Sequence, residues 1–204
     1  MQNINSIIFD LGGVILNIDY NKTSEAFKNL GVINIDEMYS QSSANQLFQN
    51  LEEGKISEIE FFDSIREESG IILTNEEIIN AWNKMLLSIC KETLGYIKTL
   101  RSKYKVYLLS NTNTIHLKQF YHIYDQTIGK EPFDSLFDAT YYSHLIGIRK
   151  PKAAAYEYVI DKNDLKVNEC VFIDDSIQNI EGAKLAGLNT IFFTSEMRVA
   201  TLGL

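Results

Sequence analysis

The chain is short of several things, and each shortage narrows what it can be. Only two prolines occur in 204 residues and no low-complexity tract is present, so a disordered chain is not expected. There are two cysteines, Cys90 and Cys170, far apart, with Cys170 opening an apolar run. They read as buried free thiols in a reducing compartment, not as a disulfide framework. Positive charge is scarce: 19 Lys and Arg stand against 27 Asp and Glu, for a net charge of −8. That argues against nucleic acid or an anionic membrane as the main partner, because both select a Lys/Arg surplus. No apolar stretch approaches the ~20 residues that span a bilayer. The N-terminus reaches Asp10 without a basic n-region, so no secretory leader is expected and a cytoplasmic protein is.

What is present is an alternation. Ser6-Ile7-Ile8-Phe9-Asp10 is a short apolar run that ends in a carboxylate, followed by Gly12 and Gly13. Val106 to Ser110 and Cys170 to Asp174 repeat the pattern, and Phe137 to Ser143 and Thr190 to Phe193 supply two further strand candidates. Unbroken apolar runs of this length suit strands buried on both faces. Helical patterns separate them, which predicts a parallel sheet with right-handed crossovers. Residues 17–90 depart from this rhythm. Ser57-x-x-Glu60 and Thr74-x-x-Glu77 are capping boxes, Gly31, Gly54 and Gly70 are helix stops, and Ala44 to Leu51 marks another helix. The fold class expected is therefore α/β. A three-layer Rossmann-like core with a five-stranded parallel sheet spans residues 1–16 and 91–204. A helical cap of about four helices, without strands, is inserted at 17–90 after strand one.

In a parallel sheet the C-terminal strand ends share one edge, where open α/β folds bind ligands. This chain puts Asp10, Ser110-Asn111 and Asp174-Asp175 at such ends, with Lys150 at the start of a further helix. Each has a bland reading as a cap or turn. Together they place three carboxylates at neighbouring positions, where each like-charge pair costs about 4 kcal/mol at ~4 Å. A cation removes that cost, and an all-oxygen donor set suits Mg²⁺. Lys150, the Ser110 hydroxyl and backbone N–H groups near Asn111 could then hold phosphate oxygens. A carboxylate beside Mg²⁺ and phosphate is poised for phosphoryl transfer through an aspartyl-phosphate.

The order Asp10-x-x-x-Val14, Ser110-Asn111, Lys150-Pro151, Asp174-Asp175-Ser176 resembles the four motifs of the haloacid dehalogenase-like hydrolase superfamily. The insertion is similar to its small helical cap (subfamily I). Gly54-Lys55-Ile56-Ser57 leading to Phe61-Phe62 looks like the branch containing α-D-glucose-1-phosphate phosphatase. The resemblance implies a Mg²⁺-dependent phosphatase acting on a small phosphorylated metabolite, most simply a sugar phosphate. It makes Asp10 nucleophile and metal ligand, the Gly12 backbone carbonyl a second ligand, Asp175 the main ligand of the fourth motif, and Asp174 a ligand or its neighbour. Ser110 and Asn111 hold phosphate, Lys150 stabilises its charge, and Asn179 orients Asp175.

One position departs from the pattern. Phosphatases of the superfamily usually carry a second Asp two residues after the nucleophile, and here that position is Gly12. General acid–base help is worth about 10² to 10⁴ in rate. Either the substrate has a good leaving group, or another acid such as Asp19 at the cap junction substitutes, or activity is weak; Tyr20, near the cap hinge, is the aromatic expected to contact substrate. Two rivals stand beside the phosphatase: a metal-independent 2-haloacid dehalogenase-type hydrolase, which would lack the paired Asp174-Asp175, and a binding or regulatory protein. His116, His122 and His144 lack a zinc-like partner spacing, Trp82 is expected to pack the cap, and Glu52-Glu53 and Glu67-Glu68 read as solvated faces.

Overall fold

The computed structural model describes residues 3–39, 45–129 and 131–204. Ala44, the expected start of one cap helix, lies outside them. Five parallel strands form the main sheet: β1 (Ser6–Phe9), β4 (Lys105–Ser110), β5 (Ala139–Tyr142), β6 (Cys170–Asp174) and β7 (Asn189–Phe192). Their order is β5-β4-β1-β6-β7, so β1 is central. Its register aligns Phe9 with Leu108 on one side and Ile173 on the other. The next residues, Asp10 just past β1 and Asp174 at the end of β6, consequently lie side by side at the sheet edge.

The strand alternation sorts the apolar side chains into two layers. Ile7, Phe9, Val106, Leu108, Val171 and Ile173 face one cluster. Ile8, Tyr107, Leu109, Cys170 and Phe172 face another. Helices α6 (Lys91–Leu100) and α7 (Thr114–Thr127) flank β4, a single turn α8 (Ser143–Ile146) follows β5, and α9 (Ala153–Lys162) and α10 (Ile177–Leu185) flank β6. Val159, Ile180 and Ala183 of the last two are buried against the second cluster. Of the two cysteines, both free, Cys170 is buried as expected, whereas Cys90 is only half-buried because it precedes α6 at the surface.

Between β1 and α6 lie α1 (Tyr20–Asn29), α2 (Ile35–Met38), α3 (Gln46–Glu52), α4 (Glu58–Ser69) and α5 (Asn75–Trp82). Both capping boxes form, with Ser57 and Thr74 accepting from the backbone of Glu60 and Glu77. The helices enclose their own core, in which Phe27, Phe48, Phe61 and Trp82 are fully buried. Thr23 ties α1 to the end of this region, donating to the Ala81 and Trp82 carbonyls at 3.2 and 3.0 Å and accepting from the Met85 N–H.

The strand-free insertion expected from sequence is corrected at its base. Strands β2 (Leu16–Ile18) and β3 (Leu86–Ile89) pair antiparallel, Leu16 with Ile89 and Ile18 with Leu86. Leu86 and Ile89 continue the helical spacing of Trp82 and Met85, but pairing with a distant segment turns them into a strand. A second correction concerns Glu52 and Glu53, which are buried and not solvated. Glu52 pairs with Arg149 at 2.7 Å, and Glu53 pairs with Lys55 and with Lys152, so both carboxylates face the core. Glu67 and Glu68 are exposed.

Candidate active site

The sheet edge carries the groups that the sequence sends there. Asp10 follows β1, with its N–H donating to the Ile173 carbonyl at 2.9 Å, so the backbone that carries it is locked to β6. Gly13, at φ +73°, turns the chain next to Asp175; a Cβ there would lie 2.1 Å from Asp175 Oδ2, so only glycine permits this approach. Lys150 is fully buried, and its Nζ donates to Asp10 Oδ1 at 2.6 Å and to Asp174 Oδ2 at 2.7 Å. Asn111 fixes this lysine: its side chain accepts from the Lys150 N–H and donates to the Lys150 carbonyl, each at 2.9 Å. The Asn111 side chain is thus spent on the backbone of Lys150, leaving the Ser110 hydroxyl and the strand-end backbone on the cavity wall. Ser143 closes the turn behind, accepting from the Thr112 N–H and donating to its carbonyl.

Asn179 is placed differently from expectation. Its amide donates to both oxygens of Asp174, at 3.1 and 3.0 Å, and not to Asp175. The reason is the strand pleat: Asp174 is the last residue of β6 and points towards the first turn of α10, where the Ser176 N–H also holds it at 2.8 Å. Asp19 is likewise re-assigned. Its carboxylate caps α1, accepting from the Asn21 N–H at 3.0 Å, and it does not line the cavity over Asp10. Tyr20, the next residue, does line it.

Oxygens of Asp10, Asp174 and Asp175 lie within 4.8 Å of one another, the one such cluster among the described residues. One buried ammonium serves three carboxyls. Burial, and then Asp174 and Asp175, push the Asp10 carboxyl up to about 8 against the pull of Lys150. Burial and Asp174 push Asp175 up to about 6. Burial works against the charge on Lys150, but Asp10 and Asp174 hold it above the ordinary lysine value. The cluster is therefore deficient in positive charge, and its all-oxygen donors have the hardness that magnesium selects.

Above these groups lies a cavity of about 320 Å³. Gly12, Ser110, Asn111, Lys150 and Asp175 form its floor, while Tyr39, Gln49 and Glu52 of the inserted region and Arg149 of the core line it from above and beside. Burial, with the nearby carboxylates, raises the Tyr20 phenol far above its ordinary pKa, so it keeps its proton. Glu52, Gln49 and Tyr39 escaped the sequence reading. The signal for Glu52 was available: it follows Phe48 by four residues, on the face of α3 that Phe48 and Leu51 bury. His116 also touches the cavity; it is buried, stacks on Trp82 at 4.4 Å, and its Nε2 meets the Trp82 carbonyl at 3.0 Å. Burial lowers it to about 4, so it stays neutral, with its Nε2 committed to the Trp82 carbonyl. His122 is exposed beside Gln126, and His144 is half-buried after β5.

Residues 4–187 match the family described as haloacid dehalogenase-like hydrolase. A D-ribitol-5-phosphate phosphatase of Bacteroides thetaiotaomicron is 35% identical over 187 residues, covering 92% of this chain and 90% of that protein. A crystal structure of a haloacid dehalogenase family enzyme from the same organism, in complex with magnesium and inorganic phosphate, superposes with a TM-score of 0.90. It has 32% identity, with 98% of this chain and 99% of the other covered. A sesquiterpene phosphatase of Aspergillus oryzae is 26% identical over 93% of this chain and 90% of its own length. The chain belongs to the haloacid dehalogenase-like hydrolase family and is a hydrolase. No helix among the described residues is long and apolar enough to cross a membrane.

Proposed function

We propose that the chain is a magnesium-dependent phosphatase of the cytoplasm that hydrolyses a small phosphorylated sugar or polyol through a phosphorylated Asp10. The observation that carries this is the Lys150 ammonium, seated between Asp10 and Asp174 beneath a polar cavity. The similarity to a D-ribitol-5-phosphate phosphatase supports the substrate class. The paired Asp174-Asp175 speaks against a metal-independent dehalogenase.

Asp10, the Gly12 carbonyl, Asp174 and Asp175 are the groups that would hold magnesium. Bound there, it supplies the positive charge that lets a carboxylate and a phosphate dianion approach. An Asp10 carboxylate oxygen attacks phosphorus, and the bond from phosphorus to the substrate's alcohol oxygen breaks. Lys150 offsets charge on the phosphoryl oxygens, and the Ser110 hydroxyl donates to them. Water then cleaves the aspartyl-phosphate, releasing phosphate and restoring Asp10. Asn111 and Asn179 act through others, by fixing Lys150 and Asp174. With no carboxyl at Gly12 and Asp19 occupied as a cap, the protonated Tyr20 phenol, which lines the cavity next to Asp19, would serve as donor to the leaving oxygen.

The test is p-nitrophenyl phosphate turnover by wild type and Asp10→Asn, with magnesium and with EDTA. Turnover should need magnesium and be lost in Asp10→Asn while the circular dichroism spectrum is kept. Retained hydrolysis by the variant removes Asp10 as nucleophile.

A further inference from the structure

The Glu52–Arg149 pair is an expensive arrangement for a cavity wall. Both charges are largely withdrawn from water, with side-chain exposures of 7% and 20%. Such a pair stabilises a fold less than apolar residues of similar volume would. It is not needed to fasten the inserted helices to the core. Just outside the cavity, Glu53 pairs with Lys152, and Gly54 approaches the His144 carbonyl so closely that a Cβ would lie 2.3 Å from it. Glu52 and Arg149 instead line the cavity, with Gln49 one turn earlier on the same face of α3.

We propose that the Glu52–Arg149 pair reads hydroxyl groups on the tail of the substrate, selecting neutral, polyhydroxylated phosphates over alkyl, amino or carboxylated ones. This rests on the phosphatase reading above. The pair is neutral as a unit. An ammonium tail would meet Arg149, and a carboxylate tail would meet Glu52. A hydroxyl satisfies both, donating to the carboxylate and accepting from the guanidinium. An alkyl tail would strip water from both charges and return no hydrogen bond. Arg149 is also covalently joined to Lys150, so the reader of the tail adjoins the residue that holds Asp10.

Glu52→Gln tests this, using D-ribitol 5-phosphate and n-pentyl phosphate, which has the same chain length without the hydroxyls. The wild type should favour the polyol phosphate. In the variant the ratio of kcat/KM values for the two should fall about 10-fold or more, chiefly through KM for the polyol phosphate. A wild type without preference, or a variant that loses both activities by one factor, overturns the proposal. Lys152→Gln breaks the outer pair and should leave the ratio where it was; if it moves the ratio as Glu52→Gln does, the inner pair is a fastener. Should wild type with magnesium hydrolyse neither phosphate, the phosphatase reading fails. Calorimetric binding of the two phosphates to wild type and Glu52→Gln then judges the pair by itself, with equal losses for both ligands against it.

Discussion

Replacing Gly182 by alanine tests how tightly the Lys150 ammonium is positioned, from a site outside the cavity. Gly182 is buried in α10 against the backbone after Lys150. A Cβ on it would lie 2.3 Å from the Pro151 carbonyl oxygen, 2.9 Å from Pro151 Cβ and 3.0 Å from its carbonyl carbon. Comfortable contacts lie nearer ~3.5 Å, so something must move by about 1 Å. Neither side can move harmlessly. Shifting Pro151 drags Lys150, whose bonds of 2.6 and 2.7 Å to Asp10 and Asp174 would pass the roughly 3.2 Å limit of a good hydrogen bond. Shifting α10 drags Asn179, which holds Asp174 and whose carbonyl accepts from the Tyr156 hydroxyl at 2.6 Å. A 1 Å misplacement can cost ~10²-fold in rate. Overpacking costs about 1–3 kcal/mol, which exceeds the ~0.5–1 kcal/mol that alanine gains over glycine inside a helix. Gly95 in α6 is the control, since a Cβ there meets nothing within 4 Å. Urea denaturation and p-nitrophenyl phosphate kinetics should show Gly95→Ala stabilised and active, and Gly182→Ala destabilised and slowed by about two orders of magnitude. If Gly182→Ala keeps turnover within threefold and gains stability like Gly95→Ala, the positioning of Lys150 does not depend on this contact.

Gly12→Asp would restore a carboxyl where the family usually has one; its Cβ lies 3.1 Å from the flexible end of Ile18, so the side chain fits if Ile18 yields. It should accelerate alkyl phosphates more than aryl phosphates, and a leaving-group series with parallel effects would refute a missing acid at that position. For His116, the folded pKa of about 4 lies below the ordinary 6.5. The unfolded chain therefore takes up a proton first as pH falls, and stability is lost from about 6.5 down to about 4. Between pH 7 and 4.5 this amounts to roughly 2 kcal/mol, read as a flatter pH dependence of unfolding free energy in His116→Gln; identical slopes would contradict it.

The strands that flank the site were legible in the sequence because burial on both faces leaves an unmistakable apolar run, and because Asp10, Ser110 and Asp174 interrupt those runs where they end. β2 and β3 were not legible. They are short, and Leu86 and Ile89 fit a helical period as well as a strand until Leu16 and Ile18 are brought opposite. Glu52 and Glu53 were misread for a related reason. Their partners in the core, Arg149 and Lys152, stand 97 and 99 residues away, so an adjacent acidic pair looks solvated when only local sequence is weighed. The Asn179 partner turned on a single step of pleat between Asp174 and Asp175, which residue types alone do not resolve.

The ribbon of β2 and β3 has an architectural consequence. Because Ile18 faces Leu86 in an antiparallel pair, the chain leaves the core and returns to it at one doorway. In topological terms the inserted helices are the swollen tip of a hairpin, and a two-residue Asn-Gly turn could join its strands directly. The roof could thus be exchanged as a cassette, with Tyr20, Gln49 and Glu52 travelling in it while Asp10 and Lys150 stay behind. Such an exchange would carry off the Tyr20 phenol and the Glu52 half of the buried pair, while the nucleophile, its ammonium and Arg149 remain in the core.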